Sequence, residues 1–236
     1  MTLLCNQIMG ETRSHTCAVL ADDEANTPQA NSHFLMPEVR NAFLQMQVTA
    51  KKAGLDLQIC SSFRDFDKQL SIWNRKWRGE LELYTLSGEK LDAHTLSDIE
   101  KIHAIMLWSA LPGASRHHWG TDFDFYDKHS IEEQKHTFEL IPEEYSGQGP
   151  CSKLCEWVHQ HAESFGFFLP YANYVGGVAS EPWHLSHKNT ASNIEAQFDI
   201  EALRTKLAQS DILGKESILP ILDELVARYT FNQGNY

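Results

Sequence analysis

The chain has 236 residues, of which 42% are hydrophobic and 22% are charged, and its formal net charge is −12. This length fits one large domain or a core domain with extensions, and the composition is typical of a soluble globular protein. The negative charge argues against nucleic acid or an anionic membrane as the main partner.

The first residues do not have the pattern of a secretory signal peptide. They lack a basic region, and Asn6, Gln7 and Glu11 interrupt the apolar residues. No segment approaches the roughly 20 apolar residues that span a bilayer. We therefore expect a cytoplasmic protein, or a periplasmic or wall-associated one if a leader has been removed ahead of Met1. The five cysteines are odd in number and lack the spacing of a disulfide framework, which predicts reduced thiols.

The first half of the chain shows clear helix and strand patterns after residue 35. Residues 1–34 carry few structural signals, and we treat them as an N-terminal extension. Pro37 suits the first turn of a helix, apolar residues then recur at helical spacing, and Gly54 closes the helix. Further predicted elements are a strand over 55–59, a helix over 65–77, a flap or hairpin over 79–94 and a helix over 95–110.

The second half predicts a similar mixture of short strands and amphipathic helices. Its predicted elements are a strand over 121–126, a long connection over 127–150, a helix over 154–165, strands over 167–171 and 183–186, and helices over 198–207 and 222–229. Together they predict an α+β fold, in which helices flank a small antiparallel sheet. We divide the chain into a core, 35–190, and a C-terminal helical extension, 191–236, packed on that core.

The run 115–124 reads Ser-Arg-His-His-Trp-Gly-Thr-Asp-Phe-Asp and contains the first candidate ligands. A turn through Gly120 followed by a strand can bring His117 back over Asp124. The spacing is weak evidence by itself, because the chain has twelve histidines and most histidines are not ligands.

A second run, Glu-Pro-Trp-His at 181–184, adds one more histidine and a spare glutamate. Taken alone it also fits an exposed glutamate before a half-buried Trp-His pair. Together the two runs supply two histidines, one carboxylate and a base that is not a ligand, as in a hydrolytic zinc site with one open position. Glu181 does not fit the helical His-Glu-x-x-His arrangement, so that class of metalloprotease is not indicated.

Arg64 follows the predicted strand over 55–59. It can be a surface residue paired with Asp65 or Asp67, or a clamp for an anionic group at the end of the strand.

These motifs resemble those of the VanY-type D-alanyl-D-alanine carboxypeptidases, the M15B metallopeptidases. The run 115–124 is similar to their Ser-x-His-x-x-Gly-x-Ala-x-Asp signature, and 181–184 matches their Glu-x-Trp-His element. Residues 61–64 with Gln69 resemble Ser-Gly-Tyr-Arg followed by Gln, and 165–169 resemble Tyr-Gly-Phe-x-Leu. The matched stretch spans roughly residues 35–187.

The resemblance implies a fold, a cofactor and roles for individual residues. The implied fold is the hedgehog/DD-peptidase zinc fold, with one Zn²⁺ per chain. The implied residues are His117, Asp124 and His184 as zinc ligands, Glu181 as general base, and Arg64, Gln69 and Ser115 as the lining of the substrate pocket.

The chain departs from the family pattern at several positions. Asp122 stands where a small apolar residue is usual, and on a strand it faces the same side as Asp124. It can support a ligand by a hydrogen bond or compete as a ligand itself. His118 is adjacent to His117, so a register error of one residue would exchange them. His187 and Ser186 also differ from the family norm, so we expect the rim of the pocket to differ from that of relatives. His187 is, like Asp122, a further candidate for a supporting contact with a ligand.

The resemblance also implies a substrate: peptides derived from peptidoglycan that end in D-alanine. For a cytoplasmic enzyme we favour an L,D-carboxypeptidase that acts on tetrapeptides during murein recycling, because a D,D-carboxypeptidase there would destroy pentapeptide precursors. The alternative is a D,D-carboxypeptidase of VanY type. A zinc-binding interaction module without catalysis is a third possibility, against which the presence of Glu181 argues. The sequence does not indicate the oligomeric state.

Overall fold

The computed structural model describes residues 2–19 and 33–234; Met1 and 20–32 of the predicted N-terminal extension lie outside the described residues. The helices are α1 (Cys5–Ile8), α2 (Pro37–Lys52), α3 (Phe66–Trp77), α4 (Asp98–Met106), α5 (Lys128–Glu133), α6 (Ser152–His161), α7 (Lys188–Glu195), α8 (Ile200–Gln209), α9 (Lys215–Ile218) and α10 (Leu222–Tyr229). The strands are β1 (Cys17–Ala18), β2 (Phe34–Leu35), β3 (Leu57–Ser61), β4 (Leu83–Tyr84), β5 (Lys90–Leu91), β6 (Asp122–Asp127), β7 (Phe167–Phe168) and β8 (His184–His187).

The main sheet has the strand order β3-β6-β8-β7, and every neighbouring pair is antiparallel. This confirms the predicted α+β class with a small antiparallel sheet. Along β6, Phe123 and Phe125 alternate with Asp122 and Asp124, and all four side chains are buried. The predicted alternation is therefore present, but the polar face of the strand is covered as well as the apolar one.

Helix α2 covers the apolar face of the sheet, because its apolar residues recur on one side. Phe43 packs edge to face against Phe123, with ring centroids 5.2 Å apart. The helix begins at Pro37 as predicted, and the chain leaves it through Gly54, whose φ of +81° is readily adopted only by glycine.

Helix α4 ends at Met106, four residues before the predicted end. The carbonyl oxygen of Leu107 accepts a hydrogen bond from the backbone N–H of Ala179, and that of Ala110 accepts one from the Gln69 side chain. In a longer helix these two carbonyl oxygens would accept from backbone N–H groups four residues further along the chain. Here Ala179 and Gln69 take that place, so residues distant in sequence decide where α4 ends.

A second apolar core lies away from the sheet and joins the C-terminal helices to the middle of the chain. Trp73 of α3 and Ile102 of α4 are fully buried there, together with Leu203 of α8 and Leu222 of α10. The predicted hairpin over 79–94 is present as β4 and β5. Within the described residues, no helix combines the length and the apolar character that crossing a bilayer requires.

Candidate metal centre

Three side chains from separate parts of the chain converge at one end of the main sheet. One potential ligand atom from each of His117, Asp124 and His184 lies within 4.8 Å of the others, and all three residues are buried. The two imidazole rings are 4.9 Å apart between centroids and nearly perpendicular. The sequence predicted this convergence, and the structure brings the three groups together.

The local backbone explains how they meet. Asp124 and His184 are directly opposite each other in the register of β6 and β8. His117 lies in a 3₁₀ turn, Arg116–Trp119, and Gly120 then turns the chain into β6 with a φ of +69°. A Cβ atom at this glycine would lie 2.7 Å from Thr16 Cγ2, so both the conformation and the space favour glycine.

His117 presents a free nitrogen to the centre. Its Nδ1 lies 2.9 Å from the carbonyl oxygen of Ser62, which places the ring hydrogen on Nδ1. Its Nε2 lies 3.4 Å from Asp124 Oδ2. Burial lowers the pKa of His117, against the attraction of Asp124, so the imidazole is neutral and can offer the lone pair of Nε2 to a cation.

His184 lies between carboxylates. Its Nε2 is 2.9 Å from Asp122 Oδ2, and its Nδ1 is 3.0 Å from Asp124 Oδ1 and 3.7 Å from Glu181 Oε2. Burial by itself would lower the pKa of His184, but the adjacent carboxylates of Asp122 and Asp124 raise it to about 10. A divalent cation among these groups would replace the proton on Nδ1, whereas Nε2 would keep its hydrogen bond to Asp122.

Asp122 has no acceptor site left for a metal ion. Its Oδ1 accepts hydrogen bonds from Thr121 Oγ1 and Ser186 Oγ, and its Oδ2 accepts from Arg116 Nε and His184 Nε2, at 2.6–2.9 Å. The sequence left open whether Asp122 supports a ligand or competes as one. The structure assigns it the supporting place, because a carboxylate behind a histidine fixes the tautomer and orientation of the ring.

Asp124 lacks the hydrogen bonds that satisfy Asp122. Its Oδ1 is buried without a well-formed hydrogen bond, although His184 Nδ1 is near. Burial would raise the pKa of Asp124, but His117 and His184 hold it well below its usual range, so the group is ionised. A buried carboxylate oxygen without a donor, next to two imidazole nitrogens, fits a zinc ion held by three protein ligands.

Glu181 lies next to this group without joining it. Its backbone N–H donates to the carbonyl oxygen of Tyr171, which holds the segment before β8 against the cavity. Burial raises the pKa of Glu181 to about 7, opposed by the attraction of His184. A carboxylate with a pKa near neutrality is suited to accept and return a proton.

Arg64 faces the cavity and is not a surface partner of the neighbouring acids. Its Nη1 donates to Gln69 Oε1 at 2.8 Å and its Nη2 donates to Ser61 Oγ at 3.0 Å. Asp65 instead caps α3 by accepting from the backbone N–H of Lys68. Gln69 is fully buried behind Arg64 and orients the guanidinium. The prediction that Gln69 lines the pocket is therefore wrong.

The groups described above open onto one cavity of about 920 Å³. Ser115 lines it, as predicted. Its outer walls include Tyr84, Leu86, Ser87 and Gly88 of the β4–β5 hairpin and residues 139–143 of the long connection. Lys76 and Tyr171 also line it, and sequence reasoning missed both. For Lys76 a signal was available, since it lies seven residues after Gln69 on the same face of α3.

Two other histidines lie outside the centre. His118 donates from Nδ1 to the carbonyl oxygen of Arg64 and accepts from the N–H of Gly113, and burial lowers its pKa to about 3. It braces the turn that carries His117. His187 is on the face of β8 opposite His184, where its Nδ1 lies 2.7 Å from Thr190 Oγ1. His187 therefore does not support the candidate ligands, because strand residues three apart face opposite sides.

Comparisons with known proteins identify a family and a shared fold. The family model VanY, described as D-alanyl-D-alanine carboxypeptidase, matches residues 32–190. The chain is 38% identical over 111 residues to an uncharacterized protein of Haemophilus influenzae, covering 47% of this chain and 72% of that protein. It is 26% identical over 157 residues to the putative carboxypeptidase YodJ of Bacillus subtilis, covering 65% and 46% of the two chains. Among solved structures, the LdcB LD-carboxypeptidase superposes with a TM-score of 0.51 at 22% identity, covering 81% of this chain and 78% of that one.

Proposed function

The chain belongs to the VanY family of D-alanyl-D-alanine carboxypeptidases, and we propose that it is a zinc carboxypeptidase that removes the C-terminal D-alanine from peptidoglycan stem peptides. One observation carries the proposal. His117, Asp124 and His184 form a three-residue ligand set beside Glu181, and the set opens onto a cavity that can admit a peptide. A fourth protein ligand would make the site structural, whereas an open vertex leaves room for water and substrate.

The proposed reaction assigns a task to each side chain in the cavity. His117, Asp124 and His184 would hold a zinc ion, which would supply a Lewis acid able to bring the pKa of water to about 7 and to polarise the scissile carbonyl. Glu181 takes the proton from the attacking water and then transfers it to the leaving amine. Arg64, held by Ser61 and Gln69, places positive charge next to these groups, where it can stabilise a developing oxyanion or a substrate carboxylate.

We further propose the L,D reaction on tetrapeptides. In a tetrapeptide the residue before the scissile bond is diaminopimelate or lysine, whose long side chain ends in an amine; in a pentapeptide it is D-alanine, with one methyl group. The cavity volume of about 920 Å³ is near the upper end for a ligand pocket. Two exposed glutamates, Glu139 and Glu143, line its outer part and suit an ammonium group. Both features favour the longer side chain.

The charge of the protein supports small released peptides as substrates in preference to the intact wall. A net charge of −12 is unfavourable for lasting attachment to an anionic polymer. We therefore propose that the enzyme acts on muropeptides returned to the cytoplasm for recycling.

The direct test is the release of D-alanine by zinc-loaded protein. Glu181→Gln should lower kcat about 10²- to 10⁴-fold and leave one zinc per chain, because the side chain acts on protons and is not a ligand. Glu156→Gln, an exposed site on α6, serves as the matched control and should behave as wild type. Zinc binding without release of D-alanine from any stem peptide would instead support a non-catalytic binding module.

The choice of bond is tested by comparing tetrapeptide and pentapeptide stems at equal concentration. We expect a higher kcat/KM for the tetrapeptide. Dominant turnover of the pentapeptide would replace the L,D proposal with the D,D alternative while leaving the zinc carboxypeptidase intact.

A further inference from the structure

Lys76 is a cation in the catalytic cavity that neither the family motifs nor the ligand set explains. It lies in the last turn of α3, and its partly buried side chain forms part of the cavity wall. Its ammonium group makes no hydrogen bond or ion pair with any residue in the described ranges 2–19 and 33–234. Other cations that are buried around this site do have partners: Arg116 is bound by Asp122, and Arg64 by Gln69 and Ser61.

Helix geometry explains how Lys76 reaches the site. It follows Gln69 by seven residues, which is two helical turns or about 10 Å along the axis, on the same face. Helical side chains lean towards the N-terminus of their helix, so the Lys76 chain leans back towards the start of α3, which Arg64 precedes by two residues. The charge of its ammonium group interacts with those of Glu181 and Arg64.

Lys76 has no hydrogen-bonded counter-ion within the described residues. Burial lowers the pKa of Lys76, and Arg64 lowers it further, whereas Glu181 opposes both effects. A partly desolvated ammonium group without a hydrogen-bonded partner is unfavourable, and an anionic group placed beside it would remove that cost. The same cavity already holds the groups that would act on a peptide, so an anionic part of the peptide is the natural partner.

We propose that Lys76 binds a carboxylate of the substrate. Arg64 is anchored beside the candidate ligands, because its backbone N–H donates to the carbonyl oxygen of His117, whereas Lys76 reaches the cavity wall from the last turn of α3. This division leaves Arg64 for the reacting carbonyl and makes Lys76 a specificity residue that recognises substrate charge. The proposal rests on the proposed function, because it takes a stem peptide as the ligand.

The test compares Lys76→Met, Lys76→Arg and the matched control Lys68→Met, an exposed lysine of the same helix. With a free-acid stem peptide, Lys76→Met should raise KM about 10- to 100-fold, as expected for a lost charge-assisted hydrogen bond, with kcat within about threefold. Lys76→Arg should recover most of the loss. Lys68→Met should match wild type, and all variants should retain zinc and unfold at similar temperatures.

Two substrate changes identify which carboxylate is bound. If the terminal carboxylate is the partner, the difference between wild type and Lys76→Met should vanish on a stem whose C-terminus is amidated. If the partner is the side-chain carboxylate of diaminopimelate, the difference should vanish on a stem that carries lysine instead. A rise in KM that is equal on all these stems, or a change confined to kcat, would overturn the proposal.

Failure of the proposed function can be told apart from failure of this inference. Wild-type protein that releases no D-alanine from any stem contradicts the proposed function. Calorimetric binding of a free-acid tetrapeptide stem that carries diaminopimelate, to zinc-loaded wild type and Lys76→Met, still measures the contribution of Lys76 in that case. Equal affinity of both proteins for this peptide would contradict the inference.

Discussion

Asp122 and Asp124 are two residues apart on one strand and carry the same functional group, yet their surroundings give them different tasks. Asp122 accepts four hydrogen bonds, from Thr121, Ser186, Arg116 and His184. One oxygen of Asp124 is buried without a donor. A carboxylate whose lone pairs are all used cannot bind a cation without losing donors, whereas one with an unmatched oxygen gains from a cation.

This difference predicts the effect of Asp122→Asn on zinc binding. The amide cannot supply the negative charge that holds the hydrogen of His184 Nε2 and orients the ring. Loss of such a partner typically weakens metal binding about 10- to 100-fold. Competition with a chromogenic chelator measures the zinc Kd directly.

Asp127→Asn is a matched control in the same strand, because Asp127 caps α5 and does not contact the ligand set. Its zinc Kd should remain that of wild type. Equal zinc affinity in wild type and Asp122→Asn, with both proteins folded, would show that Asp122 does not position His184.

At the scale of elements, the C-terminal helices support the segment that leads to the first ligand. Thr230 Oγ1 donates to the carbonyl oxygen of Ala114, three residues before His117. At Gly113, a Cβ atom would lie 2.5 Å from Leu203 Cδ1, so α8 packs closely on this turn. The helices therefore brace the site from behind without contributing a ligand.

Leu203→Ala tests this supporting role. The side chain is fully buried in the second core, and its truncation should lower the free energy of unfolding by about 2–5 kcal/mol. Urea denaturation of the zinc-loaded protein measures the change. Leu4→Ala, at a side chain that is 66% exposed, should change stability little. Equal effects of the two substitutions would contradict the assigned packing.

The same scale shows what sequence patterns can predict. Helices α2 and α3 were predicted nearly to the residue because proline, an acidic cap and regular apolar spacing act locally. The end of α4 was missed, because the carbonyl oxygens of Leu107 and Ala110 are bound by Ala179 and Gln69, which no local pattern reveals. The predicted pocket role of Gln69 failed for the same reason, since hydrogen-bond partners depend on the tertiary fold.

At the scale of the whole molecule, the site lies where the two apolar cores meet two surface segments, the β4–β5 hairpin and residues 139–143. The convergence of His117, Asp124 and His184 was predictable, because these residues belong to short runs whose residue types indicate metal binding. The cavity was not predictable, because its walls come from the β4–β5 hairpin and residues 139–143, which carry no motif. The helical spacing from Gln69 could have indicated that Lys76 lies on the same face of α3, but only the folded chain shows that its ammonium group has no hydrogen-bonded partner within the described residues.

The most direct test of the account is a crystal structure of the zinc-loaded protein with anomalous data collected at the zinc edge. We predict one strong peak per chain, about 2.0–2.2 Å from His117 Nε2, a carboxylate oxygen of Asp124 and His184 Nδ1, with the remaining vertex facing Glu181. A peak at a different place, or an ion enclosed by four protein ligands, would contradict the central claim that these residues form an open, catalytic metal centre.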